Sequence, residues 1–358
     1  MSTTEILAAF DARGGLNTRA IDRAAELLRA GRLVAFPTET VYGLGAKALS
    51  AEAVARIFAA KGRPAYNPVI VHVSDAGAAQ ELVADWPDIA DRLAAAFWPG
   101  PLTLVLPKSL LVPDEVTAGS QTVAVRVPSH AVALALLRAA GAPVAAPSAN
   151  RSMLLSPTTA EHVLEGLDGR IDAVLDAGPA PGGIESTVIG LADSPPRLLR
   201  PGLISPAQIE AVIGRISWLP DIESAVRRSA GTGPEEAGVA GGSSAALPSP
   251  GMMARHYAPR APLEVAASGE QRARALAAAG HAVGWITRVR PNAAAAAGLT
   301  VMEMPADPIG YAAGLYAALH ALDARGVTRI VVDALPSTED WLALRDRLAR
   351  AATPAADG

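Results

Sequence analysis

Hydroxyl, cationic and glycine residues are concentrated between residues 32 and 72, where they could bind an anionic small molecule. Five Lys/Arg residues against two Glu residues give this stretch a charge of about +3, in a chain whose formal net charge is -4. Thr38, Glu39 and Thr40 follow the apolar run 33–36, and Lys61 and Arg63 lie further along. Such a local cationic focus suits a phosphate or carboxylate ligand. For charges alone, a solvated helix end is the simpler interpretation.

Similar polar groups follow other apolar runs. Arg126, Ser148, Asn150, Ser186 and Arg200 each lie at or just beyond the end of a predicted strand. Each could singly be a turn residue or an ion-pair partner, and a histidine in an apolar strand is more often a core residue than a catalyst. Together they bring phosphate- or carboxylate-binding groups to five or six strand ends, where ligand crevices of open sheets form.

The sequence pattern predicts that these groups are positioned by a mixed α/β fold. The run 33–36 predicts a buried strand, and residues 51–61 predict a helix with Ser50 as its N-cap and Gly62 as its stop. Ser205 and Gln208 predict a capping box at the start of a later helix. Alternating strands and helices from residue 263 onward predict a smaller βαβ-type domain. We expect a first domain at 1–215, a flexible linker at 216–261 that contains the segment SPGMMARHYAP, and a small Rossmann-like domain at 262–358.

Composition excludes several kinds of site. The chain has no cysteine, so disulfides, thiol nucleophiles and thiolate metal sites are excluded. The net charge gives no nucleic-acid signature for the whole protein. Neither a signal peptide nor a membrane span is indicated, and we expect a cytoplasmic protein.

The Gly43-Leu-Gly45 run lacks the acidic partner of a dinucleotide fingerprint, and we interpret its glycines as residues that let the backbone turn.

Several motifs carry a family resemblance, and they follow one another in order from residue 37 to residue 202. They are PTETVYGLG at 37–45, KGRP at 61–64, NPVIVH at 67–72, PGPLT at 99–103, VRVP at 125–128, APSAN at 146–150, SPT at 156–158, ESTVI at 185–189 and RPG at 200–202. The chain resembles the YrdC-type threonylcarbamoyl-AMP synthases over about residues 18–215. Its segment at 249–259 resembles the linker of the long, two-domain form of that family.

The resemblance implies a nucleotidyltransferase that condenses L-threonine, bicarbonate or CO2, and ATP to threonylcarbamoyl-AMP and pyrophosphate. A separate transferase complex would then modify tRNA, so that tRNA is only an indirect partner. The implied fold is a twisted open sheet with a cationic concave pocket, followed by a small Rossmann-like appendage. Mg2+ would arrive with ATP, and no metal ligand from the protein is expected.

The resemblance also assigns residues. The set implied for L-threonine is Thr38, His72, Arg126, Ala146 and Ser186. The set implied for ATP is Lys61, Arg63, Asn67, Thr103, Ser148, Asn150, Ser156, Arg200 and Tyr257, with Tyr257 closing over from the linker. Among these, Lys61, Arg63 and Arg200 would be catalytic, because they would spread the charge of the triphosphate.

Two other functions are alternatives to the synthase interpretation. A cationic concavity could bind double-stranded RNA without catalysis, although the acidic balance and the 4% aromatic content count against it. Carbamoyl transfer through carbamoyl-phosphate occurs in hydrogenase-maturation proteins with a related domain. Those proteins carry cysteine-rich and acylphosphatase regions that this chain lacks.

Overall fold

Two β-sheets organise the chain. The structure is a computed structural model that describes residues 3–219, 222, 256–289 and 298–352. Most of the predicted linker, including residues 249–255 of the SPGMMARHYAP segment, lies outside the described residues, so its predicted flexibility stays a prediction. The domain boundaries also stay a prediction.

The first sheet is formed by strands β1 to β11, and the second by β12 to β15. The strands are β1 (Glu5–Ala8), β2 (Val34–Phe36), β3 (Gly43–Lys47), β4 (Ile70–His72), β5 (Leu102–Pro107), β6 (Thr122–Arg126), β7 (Val144–Ala145), β8 (Ala173–Asp176), β9 (Thr187–Gly190), β10 (Arg197–Arg200), β11 (Ser217–Trp218), β12 (Leu263–Ala266), β13 (Val283–Thr287), β14 (Leu299–Glu303) and β15 (Arg329–Asp333).

Helices cover and connect these strands. They are α1 (Thr18–Arg29), α2 (Ala51–Lys61), α3 (Ala76–Gln80), α4 (Asp88–Phe97), α5 (Asp114–Thr117), α6 (Ala131–Ala140), α7 (Ala160–Leu167), α8 (Pro206–Ile213), α9 (Gly269–Ala278), α10 (Pro308–Ala324) and α11 (Leu342–Ala351). A 3-10 turn at Glu339–Trp341 precedes α11.

The first sheet is open and mixed. Its strand order is β1-β8-β2-β3-β7-β4-β6-β5-β9-β10-β11. It contains parallel pairs such as β4 with β6 and antiparallel pairs such as β2 with β3. In the second sheet, ordered β12-β15-β13-β14, every pair is parallel. The predicted mixed α/β class is therefore confirmed, as is the βαβ pattern of the second part.

Local sequence explains the helix ends near the site. The Ser50 side chain accepts a hydrogen bond from the Ala53 amide at the start of α2, and Gly62 ends that helix in the left-handed region with φ of 62°. Ser205 and Gln208 form a capping box at the start of α8. These predicted stops and caps are confirmed.

The glycines of the Gly43-Leu-Gly45 run have a different role from the one that the sequence suggested. Both lie within strand β3, so the interpretation that they let the backbone turn is wrong. A Cβ at Gly45 would lie 2.9 Å from a Phe36 ring carbon and 3.0 Å from a Val144 methyl carbon. Glycine is therefore required because neighbouring side chains pack directly onto the strand backbone.

The two parts of the chain share a hydrophobic core. Val41, Leu155 and Ile184 from the first part belong to the same buried cluster as residues of α10 and α11. A Cβ at Gly183 would lie only 2.1 Å from the Ala312 carbonyl oxygen of α10, so the backbones of the two parts are in direct contact there. The second sheet and its helices consequently pack against the region where the first sheet presents its polar strand ends.

Candidate active site

A cavity lies at the polar strand ends of the first sheet. Its lining includes three arginines, one glutamate and two histidines among hydroxyl and apolar groups. The residues are Thr38, Thr40, Val41, Gly43, Arg63, Ile70, His72, Arg126, Ala146, Pro147, Ser148, Glu185, Ser186, Arg200, His256 and Tyr257.

Most of the predicted site residues meet in this cavity. Nine of them line it: Thr38, Arg63, His72, Arg126, Ala146, Ser148, Ser186, Arg200 and Tyr257. The other five are not among its lining residues and are themselves buried: Lys61, Asn67, Thr103, Asn150 and Ser156. The structure thus places the predicted residues in one region, while the ligand assigned to each stays a prediction.

Neighbouring strands bring His72 and Arg126 together. His72 ends β4, Arg126 ends β6, and the two residues are register partners in a parallel pair. Thr38 follows β2 and is held by its own loop, because its hydroxyl donates to the Val41 carbonyl oxygen at 2.6 Å. The Thr38 and Thr40 hydroxyl oxygens are 2.7 Å apart, so one of them donates to the other.

Arg126 is buried and partly engaged by protein groups. Its Nη2 donates to Glu39 Oε1 at 2.6 Å, its Nη1 to Thr40 Oγ1 at 3.1 Å and its Nε to the Gly100 carbonyl at 3.2 Å. A guanidinium has five N–H groups. Three hydrogen bonds therefore leave two N–H groups without a partner among the described residues. Burial raises the pKa of Glu39, but Arg126 outweighs it, so the net pKa is below the ordinary value and the pair is ionic.

His72 is neutral at physiological pH. Burial, followed by the nearby charge of Arg126, lowers its pKa to about 3. Its Nδ1 has no hydrogen-bond partner within the described part of the chain, and the same is true of His256 Nδ1 and Glu39 Oε2. Buried polar atoms are normally satisfied. Two cavity-lining histidines thus each have a ring nitrogen that is available to a polar ligand or a water.

Arg63 and Arg200 form a second cationic group. The Arg63 guanidinium donates to the carbonyl oxygens of Asn67 at 3.0 Å and Pro68 at 2.6 Å, and to Asn67 Oδ1 at 2.7 Å. Arg200 donates to the carbonyl oxygen of Ser186 at 3.1 Å and to its hydroxyl at 3.1 Å. Burial lowers the pKa of Arg63 to about 10, which still leaves it charged at neutral pH.

Lys61 lies behind the cavity wall and holds one of its loops. Its Nζ donates to the Ser148 carbonyl oxygen at 2.5 Å, to the Asn150 carbonyl oxygen, and to Asn150 Oδ1 at 3.3 Å. Ser148 Oγ donates to the same Asn150 oxygen at 2.6 Å. Lys61 therefore fixes the loop that presents Ser148 to the cavity. Burial, followed by the nearby charge of Arg63, lowers the pKa of Lys61 well below its ordinary value.

Tyr257 closes one side of the cavity in a strained conformation. It is 1% exposed and has φ of 60°, a value that non-glycine residues seldom adopt. Such strain persists where the surroundings over-determine it, and it is commonest at functional sites. The ring packs against His256, with centroids 4.0 Å apart, and against Tyr316 at 6.0 Å.

Sequence reasoning gave no ligand role to several groups that the cavity contains. Thr40, Glu185 and His256 line it, and Glu39 pairs with Arg126. Glu39, Glu185 and His256 stand inside the quoted motifs, so their position beside assigned residues was the signal that could have identified them. Arg347 and Tyr316 carried no such signal, because they belong to helices of the second part.

The structure also brings together His162, Glu165 and His320, which sequence spacing did not connect. One potential ligand atom from each lies within 4.8 Å of the others. The two imidazole rings, however, stack with centroids 3.8 Å apart and planes only 8° from parallel. Lone pairs in parallel planes do not converge on one point, so we assign no metal ion to this group.

Among the described residues, no helix is both long enough and apolar enough to cross a membrane.

Two family models match consecutive parts of the chain. Residues 26–202 match the Sua5, YciO and YrdC family, whose description is "Telomere recombination". Residues 204–353 match the family described as "Threonylcarbamoyl-AMP synthase, C-terminal domain". Together they cover both sheets of the structure except for strand β1.

Named relatives and a solved structure agree with these models. The chain is 43% identical to the threonylcarbamoyl-AMP synthase of Bacillus subtilis over 342 residues, or 94% of each protein. It is 50% identical to that of Pyrococcus abyssi over 238 residues, which is 66% of this chain and 65% of the relative. It also matches the crystal structure of P. abyssi Sua5 complexed with L-threonine, with a TM-score of 0.84, 39% identity and 97% of each chain covered. The resemblance predicted from the motifs is confirmed, and the chain belongs to the threonylcarbamoyl-AMP synthase family.

Proposed function

We propose that this protein condenses L-threonine, bicarbonate or CO2, and ATP to L-threonylcarbamoyl-AMP and pyrophosphate, acting as a nucleotidyltransferase. The observation that carries the proposal is the charge of the cavity, where three buried arginines face one glutamate. A triphosphate and an amino acid carboxylate are both anionic and match that excess. The relative whose structure contains L-threonine supports the choice of amino acid.

The threonine end of the cavity is the part around Arg126. Its two remaining N–H groups suit a bidentate hydrogen bond to the threonine carboxylate. Thr38 and Ser186 add hydroxyl groups, and Ala146 adds backbone. A neutral His72 places no second positive charge next to the amine, which must lose its proton before it can react.

The chemistry proceeds in two steps. The neutral amine of threonine adds to CO2: a C–N bond forms, one C–O π bond breaks, and an N–H proton leaves to water, which gives N-carboxythreonine. An oxygen of that new carboxylate then attacks the α-phosphorus of ATP in line, and the bond to the β-phosphate oxygen breaks to release pyrophosphate. No covalent enzyme intermediate forms, so the protein contributes positioning and charge stabilisation.

The nucleotide end supplies the charge stabilisation. Arg63 and Arg200 line the cavity there, and Lys61 holds the adjoining loop. Mg2+ enters as part of the MgATP substrate and retains most of its waters. The carboxylates at the cavity fit an ion that arrives with ATP, because each already has an arginine partner. Glu39 is paired with Arg126, and the lining carboxylate Glu185 is paired with Arg347.

Double-stranded RNA binding is not favoured as the function. Arg63 is 8% exposed, and Arg126 and Arg200 are each 3% exposed. Cations at that depth do not reach the phosphates of a duplex, whose backbone is recognised from an open surface.

The proposal instead places tRNA downstream, where a separate threonylcarbamoyl-transferase complex would consume the adenylate. It also places the reaction in the cytoplasm, which suits the cysteine-free sequence.

Pyrophosphate release from ATP tests the proposal. We expect release to require both L-threonine and bicarbonate, and we expect threonylcarbamoyl-AMP to accumulate in an equal amount. Release that is independent of threonine, or release without the adenylate product, would contradict the proposed reaction. Serine in place of threonine provides a comparison, since one methyl contact discriminates by only about 1–3 kcal/mol.

A further inference from the structure

A buried carboxylate connects the cavity to the second part of the chain. Glu185 lines the cavity and is 6% exposed. Its Oε1 accepts a hydrogen bond from Ser156 Oγ at 2.6 Å, and its Oε2 accepts one from Arg347 Nε at 2.7 Å. The Tyr316 hydroxyl lies 3.3 Å from Oε1 and 3.2 Å from Oε2. Both oxygens are thus held by groups from two parts of the structure.

Arg347 also contacts two other elements of the cavity wall. Its Nη2 donates to the Pro201 carbonyl oxygen at 3.0 Å, directly after Arg200 in the chain. Its guanidinium carbon lies 5.1 Å from the centre of the Tyr257 ring, which is a cation–π distance. Arg347 is 1% exposed and is not among the lining residues, so it acts on the cavity through its neighbours.

Electrostatics make Arg347 necessary at this position. Burial raises the pKa of Glu185, but the charges of Arg347 and then Arg200 outweigh burial and bring the pKa below its ordinary value. Without Arg347, the Glu185 carboxylate would remain buried away from water and would lose one of the positive charges that stabilise it. Buried charges of that kind are costly, and the structure around them rearranges or the group takes up a proton.

We propose that Arg347 and Tyr316 are positioning residues of the active site, through which the second part of the chain shapes the nucleotide end of the cavity. They hold Glu185, and with it Ser156 and the Tyr257 ring, in place. This inference rests on the proposed function in assigning that end of the cavity to ATP. Because Ser156 and Tyr257 belong to the predicted ATP set and not to the threonine set, the loss of Arg347 or Tyr316 should weaken the binding of ATP more than that of threonine.

The test uses the full chain with Arg347→Met, Arg347→Lys and Tyr316→Phe. ATP binding is measured by calorimetry, and KM values for ATP and threonine are measured by pyrophosphate release. We expect Arg347→Met to raise the Kd for ATP on the order of 100-fold, and Tyr316→Phe to raise it about fivefold through one lost hydrogen bond. Arg347→Lys should recover part of the loss, and the KM for threonine should change little.

Arg345→Met is the matched control, because Arg345 lies on the same helix but donates to the Pro336 carbonyl, outside this network. It should leave the Kd for ATP unchanged. A double variant with Glu185→Gln should be no weaker than Arg347→Met alone, since both changes act through one carboxylate. If Arg347→Met does not fold, Tyr316→Phe removes only a hydroxyl and still decides the question.

The outcomes separate the two claims. If folded Arg347→Met and Tyr316→Phe bind ATP as tightly as the wild type, the positioning role is wrong. If both weaken ATP binding while the wild type makes no threonylcarbamoyl-AMP, the positioning role holds and the proposed reaction is wrong. A wild-type protein that binds no ATP overturns both.

Discussion

Replacement of Arg126 by lysine gives a sharp test of how the threonine end of the cavity works. The Arg126 guanidinium donates one hydrogen bond each to Glu39, Thr40 and Gly100, which leaves two of its five N–H groups for a ligand. A lysine ammonium has only three N–H groups, and the same three acceptors would occupy all of them. Arg126→Lys should therefore preserve the charge but lose both hydrogen bonds to the substrate carboxylate.

The magnitude follows from those two bonds. A hydrogen bond to a charged group contributes at least about 1.5 kcal/mol, so the loss of two comes to about 3 kcal/mol. Because about 1.4 kcal/mol corresponds to a tenfold change, kcat/KM for threonine should fall about 100-fold. The KM for ATP should stay near that of the wild type, since the nucleotide end relies on Arg63 and Arg200.

The assay is pyrophosphate release with threonine varied at saturating ATP and bicarbonate. Arg23→Lys is the control, because Arg23 forms a comparable ion pair with Glu5 at 3.2 Å but its side chain is 48% exposed. Thermal unfolding verifies that the cavity variant is folded. A folded Arg126→Lys protein with unchanged threonine dependence, or one that loses ATP and threonine affinity equally, would refute the carboxylate assignment.

Three further substitutions test other parts of the structure. Lys61→Met should reduce adenylate formation by about 100-fold, because it releases and misplaces the loop that carries Ser148 and Asn150; turnover within twofold of wild type would contradict this. His72→Asn should flatten the pH dependence of the free energy of unfolding, measured with urea. Burial and Arg126 give His72 a folded-state pKa of about 3 against an ordinary 6.5, so its stabilising effect is full above pH 6.5. Below pH 6.5 the wild-type free energy of unfolding should fall by about 1.4 kcal/mol per pH unit because of His72. The same pH slope in His72→Asn would be evidence against the lowered pKa of His72. Gly45→Ala should lower the free energy of unfolding by about 1–3 kcal/mol through contact with Phe36, whereas an unaffected urea midpoint would show that the strand can shift.

Local sequence predicted those parts of the fold that depend on local physics. The cap at Ser50, the stop at Gly62 and the capping box at Ser205 involve residues a few positions apart, and each is found in the structure. Strand ends carrying Arg126 or Arg200 were also evident, because apolar runs that end in a charged residue are visible in the chain itself. The mixed α/β class follows from the same periodicities.

The contacts that complete the site were beyond local reasoning. Arg347 and Glu185 are 162 positions apart, and only the packing of α11 against the first part brings them together. An arginine on an amphipathic helix looks the same in sequence whether its face meets solvent or a buried carboxylate. The Gly45 error has a related cause, since a glycine that admits a neighbouring ring cannot be told from one that permits a turn.

Under the proposed function, the distribution of charge between the two ends of the cavity would account for their different substrates. At the threonine end, Arg126 is balanced by Glu39, which suits an amino acid whose own charges balance. At the nucleotide end, the Glu185 carboxylate is held by Arg347 at 2.7 Å, while Arg63 is hydrogen-bonded to the neutral oxygens of Asn67 and Pro68. By supplying an arginine of its own for Glu185, the second part of the chain preserves the positive charge that a triphosphate requires.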